Sequence, residues 1–131
     1  MKDRLIGIIC IGFLSLGVMS DADAIMYDFN TGLAGFTAYG ETKGVNGEVQ
    51  LTSAIDETSG SLFLSETYKT DSFIANFDFR MGGGSGADGI TFAWVEAPGL
   101  GKSGGNLGFE GLSGYAVEFD TYYNGWDVGE N

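Results

Sequence analysis

Glu118 and Asp120 stand two positions apart in a run of apolar and aromatic residues. Asn124 and Asp127 follow within one short loop that contains Gly125. Residues two apart in an extended strand share a face, so the two carboxylates project together while Val117 and Phe119 project into a core. Carboxylates about 6.6 to 6.8 Å apart on one face repel unless a cation stands between or beside them. Gly125 lets the loop bend sharply, which returns Asn124 and Asp127 towards the same point. With one backbone carbonyl and water, these groups form the all-oxygen set that calcium takes. A lone Glu-x-Asp reads more simply as an exposed acidic strand face followed by a turn. The added amide and carboxylate are what favour the cation. An EF-hand loop does not fit, because its third position falls on Tyr122, its twelfth on Asn131, and no helical pattern flanks it.

Two glycine-rich segments lie upstream. The first, residues 82–89, joins two strand-like runs and carries one acid, Asp88. On composition alone it is a long flexible hairpin. The second, residues 99–108, contains Gly99-x-Gly101-x-x-Gly104 and the tripeptide Gly101-Lys102-Ser103, which invite nucleotide readings. Neither survives inspection. Glu96 stands where a phosphate-binding loop needs its first glycine, and no apolar-periodic helix follows to present its N-terminus to a pyrophosphate.

The elements that must position these residues read as strands. Segments rich in β-branched and aromatic residues fall at 48–53, 61–66, 72–81, 89–95 and 115–122, separated by glycine-rich breaks. Phe73, Ala75, Phe77 and Phe79 alternate with Ile74, Asn76, Asp78 and Arg80, which gives one apolar face and one mostly polar face. No sustained 3.6-residue apolar stripe occurs after the first segment. The 23 glycines and single proline of the 131 residues then act as turn chemistry in an all-β antiparallel sandwich. Five or six strands make a small sandwich at best, and the chain stops in polar, turn-like sequence after Trp126. The expectation is an incomplete sandwich, the N-terminal part of a larger domain.

Residues 1–24 are set apart from this domain. Lys2 and Arg4 precede an apolar run from Leu5 to Met19, and Ala22-Asp23-Ala24 supplies a small-x-small cleavage pattern, so a secretory signal peptide is expected. The apolar run is about 15 residues, shorter than the roughly 20 a membrane-spanning helix needs. No membrane insertion is expected after cleavage, and the product is secreted, periplasmic or on the cell surface. The domain at 25–131 has no cysteine, since Cys10 lies in the leader, so no disulfide stabilises it. The formal net charge of −12 repels phosphate backbones and anionic lipid, which argues against nucleic acid as a partner. Acidity of this degree serves solubility, cation binding or both.

Val117-Glu118-Phe119-Asp120-Thr121-Tyr122-Tyr123-Asn124, followed by Asp127, resembles the metal-binding signature of the legume-type (L-type) lectins, with their concanavalin A-like jelly-roll sandwich and bacterial members. The resemblance implies that Glu118 binds a transition metal such as manganese and that Asp120 bridges it to calcium. It further implies that Tyr122 gives calcium its backbone carbonyl, Asn124 its side chain, and that Asp127 touches both ions. Two departures stand out. The spacing from Asp120 to Asp127 is one residue tighter than in many plant members, and the histidine expected just beyond is not in the sequence, which leaves the transition-metal site incomplete. Ala87-Asp88-Gly89 resembles the lectin Ala-Asp-Gly, often joined by a cis Ala-Asp bond, whose Asp accepts hydroxyl hydrogen bonds from a sugar. Residues 104–108 resemble the lectin loop in which a glycine, here Gly105, offers its N–H to a sugar hydroxyl.

A carbohydrate site then consists of Asp88 as acceptor, Gly105 N–H and the Asn124 amide as donors, and Tyr122 as an aromatic plate. The implied function is calcium-dependent carbohydrate binding without chemistry. A glycoside hydrolase on a similar sandwich needs a third carboxylate beyond Glu-x-Asp, and Tyr122 and Tyr123 occupy the places it would take. A structural or adhesive surface module with no sugar preference is the other alternative.

Overall fold

Apolar residues that alternate with polar ones can satisfy their backbone only by pairing into sheets, and their side chains only by packing one sheet face against another. The computed structural model describes residues 6–7, 25–68, 72–83 and 87–125. All its described strand pairs are antiparallel. Ile6–Gly7 (β1), Lys43–Val45 (β3), Glu48–Gln50 (β4) and Phe79–Arg80 (β6) form a sheet in the order β3-β4-β1-β6. Phe36–Gly40 (β2) pairs with Gly60–Leu64 (β5), and Gly89–Val95 (β7) pairs with Gly114–Asp120 (β8). The one helical element among the described residues is a 3-10 turn at Gly104–Asn106. The architecture is that of an incomplete all-β sandwich. The four-stranded sheet includes two residues of the expected leader, whereas the expected cleavage site at Ala22–Ala24 lies outside the described residues.

Among the expected strands, 89–95 coincides with β7, and 48–53, 61–66 and 115–122 are found within a few residues of β4, β5 and β8. The run 72–81 differs. Only Phe79 and Arg80 form a strand, with an isolated bridge at Asn76, although the alternation holds from Ala75 to Arg80: Ala75, Phe77 and Phe79 are half-buried while Asn76, Asp78 and Arg80 are exposed. Its rings carry the packing. Phe77 stacks on Phe92 with centroids 5.2 Å apart, and Phe79 meets Phe119 at 4.8 Å. A second cluster joins Phe36 to Tyr27 at 4.4 Å and to Phe29 at 5.2 Å.

Val49, at the middle of β4, is fully buried, and Phe29 is nearly so. Elsewhere the interior is open. A cavity of about 870 Å³ is lined by residues that include Leu51, Leu62, Phe77, Phe92 and Phe119. Beyond it Phe73, Trp94, Tyr115 and Val117 are all more than 40% exposed, although Trp94 stacks on Tyr115 at 5.7 Å. Val117 thus stands on the apolar face, as its alternation with Glu118 requires, but no described residue covers it.

Candidate functional site

The register of β7 and β8 does the positioning. Gly89 lies opposite Asp120, and Thr91 lies opposite Glu118. The residue before Gly89 therefore meets the residue after Asp120. Thr121 donates both its main-chain N–H and its Oγ1 hydroxyl to the Asp88 carbonyl, each at 2.8 Å. This close pairing also explains the glycine that follows Asp88, because a Cβ at Gly89 would collide with the Phe119 carbonyl oxygen. The Ala87–Asp88 peptide bond is cis, as in the lectin motif that this segment resembles.

The second glycine loop is tied to β7 through Thr91 and to β5 through Ser61. The Thr91 hydroxyl donates to the Leu107 carbonyl at 3.0 Å, and Ser61 Oγ donates to the Gly99 carbonyl at 2.7 Å. Main-chain bonds from Gly101 N to Gly108 O (3.0 Å) and from Gly108 N to Lys102 O (2.9 Å) close the loop on itself. Lys102 and Glu110 form an ion pair across its base. Both side chains are exposed, so the pair contributes little stability. The closed loop presents the Gly104–Asn106 turn to the end of β8. A Cβ built on Gly104 would stand 3.9 Å from Asp88 Oδ2, and one on Gly105 would stand 2.8 Å from Asn124 Cγ. Gly105 therefore has its Cα against the flat Asn124 amide, at a distance only glycine permits.

Past the end of β8 the chain folds its own donors together. The Tyr122 N–H donates to Asp120 Oδ1 at 2.9 Å, and Asn124 Nδ2 donates to the Tyr122 carbonyl at 3.2 Å. A carboxylate, a carbonyl and an amide are thereby gathered into one turn, all with oxygen to offer. Glu118 and Asp120 are exposed, and the alternation of β8 sets them on one face. Among the described residues no three His, Cys, Asp or Glu side chains converge. The expected ligand set has only Glu118 and Asp120 as carboxylates there, and Asp127 lies outside the described residues. The donors present suit a hard cation such as calcium, which takes carbonyl and amide oxygens as readily as carboxylates.

The structure thus brings Asp88, Gly105, Asn124 and Asp120 to one end of the β7–β8 pair, with the Tyr122 ring 52% exposed beside them. Two residues at this end were not expected. Thr121 and Thr91 each fasten a loop to the strand pair through a hydroxyl. Thr91 shares a strand face with Glu118 and Asp120, but nothing local marks a hydroxyl there as an anchor.

The antiparallel sheets of this sandwich set an acidic strand end beside two glycine loops. The model of the legume-like lectin family matches residues 30–130, and the chain belongs to that family. No curated protein and no solved structure matches it. The matched span takes in β2 to β8 and all the candidate site residues. Membership makes carbohydrate the ligand class, in a family that is generally non-enzymatic. No helix among the described residues is long and apolar enough to cross a membrane.

Proposed function

We propose that this protein is a calcium-dependent carbohydrate-binding domain that reaches the secreted, periplasmic or cell-surface space through its leader. The observation that carries the reading is the convergence of Asp88, Gly105 and Asn124, three loop residues far apart in sequence, at the end of β8. Asp88 accepts hydrogen bonds from sugar hydroxyls, Gly105 N–H and the Asn124 amide donate, and the exposed Tyr122 ring covers the apolar face of the sugar. Asp120, the Tyr122 carbonyl, Asn124 and Asp127 would hold calcium. Glu118, with Asp120 and Asp127, provides a place for a transition metal such as manganese. The bound cation supplies positive charge that lets the clustered oxygens stay together.

The rest is done by the chain. With Asn124 held against Gly105 and Asp88 held by Thr121, the polar groups are ordered before a ligand arrives, which lowers the entropy cost of capturing a small polar molecule. No proton transfer is part of this function, because the residue two positions after Asp120 is Tyr122 and not a third carboxylate. The test is a glycan array probed with the full-length protein in calcium and again after chelation. Signals on a defined set of glycans that vanish with chelator are the expected result. An array equally blank, or equally bright, under both conditions would contradict the reading.

A further inference from the structure

We propose that Thr121 is a positioning residue for the sugar site, one that locks the Asp88 loop to the end of the metal-binding strand through its side chain. The inference rests on the carbohydrate-binding reading above and adds to it a residue with no assigned role. Register alone brings the Thr121 N–H to the Asp88 carbonyl, and any residue but proline at this position keeps that bond. The side chain supplies the second: Oγ1 donates to the same carbonyl oxygen, also at 2.8 Å. A carbonyl oxygen has two lone pairs, so the two donors together fix both its distance and its orientation.

The choice of residue type suits the task. Threonine is β-branched and stiff about χ1, so its hydroxyl is set in direction before the bond forms. The neighbours make the bond consequential. Thr121 lies between Asp120, whose Oδ1 accepts the Tyr122 N–H, and Tyr122, whose carbonyl accepts from Asn124. One turn therefore gathers the proposed calcium donors and, through Thr121, holds the main chain of the residue that accepts the sugar. Gly104 closes the other side of the Asp88 carboxylate. A shift of the Asp88 main chain would move that carboxylate relative to Gly105 and Asn124.

The test compares Thr121→Val, which keeps the branched shape and removes the donor, with Thr121→Ser, which restores it. Thr37→Val serves as a control, since the Thr37 hydroxyl bonds Ser65 on the β2–β5 pair. Sugar affinity is measured on the strongest glycan of the array, and calcium affinity by calorimetry. Thr121→Val should weaken sugar binding about 2- to 12-fold, as expected for one hydrogen bond, with calcium affinity unchanged. Thr121→Ser and Thr37→Val should bind sugar like the wild type. A residue that only stabilised the fold would weaken calcium and sugar together.

A measurement that needs no sugar accompanies these: the 13C shift of the Asp88 carbonyl, which should move in Thr121→Val and return in Thr121→Ser. If the wild type binds no glycan, the carbohydrate reading fails, and the carbonyl shift still decides whether the side chain holds Asp88. Unchanged sugar affinity in Thr121→Val, or an Asp88 carbonyl shift that does not respond to it, overturns the proposal.

Discussion

Asp120 carries the greatest share of the proposed chemistry, because its carboxylate is both a cation donor and the acceptor that turns the chain back through Tyr122. Asp120→Ala should abolish calcium binding in titration calorimetry, whereas Glu118→Ala should mainly affect the transition metal; undiminished calcium affinity in Asp120→Ala would sink the assignment. Gly105 makes a separate prediction. The Cβ of Gly105→Ala would press on the Asn124 amide, the end of a side chain that can swing away, so the fold should survive while Asn124 leaves its place. The expected outcome is an unaltered circular dichroism spectrum with sugar affinity reduced at least about tenfold, the equivalent of roughly 1.4 kcal/mol. Wild-type affinity in Gly105→Ala would show that Asn124 is not held there. Asp120 and Asn124 drew attention in the sequence because a carboxylate and an amide follow Glu118 at short spacing, and Asp88 only because Ala87-Asp88-Gly89 resembles a lectin motif. Thr121 did not, since its role depends on a strand register that no local pattern states.

At the scale of elements, β7 and β8 were the most readable because their alternation is long and bounded by glycine. Strands β2 and β3 escaped notice. Phe36–Gly40 mixes glycine, alanine and threonine with two aromatics, and Lys43–Val45 is three residues long, so neither shows a pattern above background. The run 72–81 alternates as expected from Ala75 to Arg80, while Phe73 is as exposed as Ile74, and it forms a strand only at Phe79 and Arg80 with an isolated bridge at Asn76. Phe77 is the residue to test. It meets Phe79, Phe92 and Phe119, so Phe77→Ala should cost about 3 kcal/mol, the low end for such a truncation because the site is already partly open. Phe73→Ala, at a ring that is 52% exposed, should cost less than half as much. Urea unfolding of the two variants measures the difference, and equal losses would mean that the ring layer is not the core.

The molecule as a whole pairs a strongly acidic surface with an interior that its described residues leave open. Phe73, Trp94, Tyr115 and Val117 form an exposed apolar area, and in residues 25–131 alone β4 and β6 would each lose β1 as a partner. Exposed edges and apolar patches favour association. Residues 25–131 expressed alone should associate with rising concentration and bind a hydrophobic dye, as sedimentation and fluorescence would record. A monomer with a sharp, reversible thermal transition would contradict this. The sandwich class was legible from alternation and glycine spacing and its incompleteness from the strand count, whereas the particular residues left uncovered were not, because composition does not report which apolar faces find a partner. Recognition of a sugar at Asp88 is tested by the Asp88→Asn variant of the full-length protein. The substitution keeps the size but replaces one acceptor oxygen with a donor NH2 and removes the charge, at a cost of roughly 1.5 to 3 kcal/mol per charged hydrogen bond lost. On a glycan array in calcium, Asp88→Asn should lose the wild-type signal while calorimetry still records calcium binding, and a wild-type glycan profile in that variant would place the sugar site elsewhere.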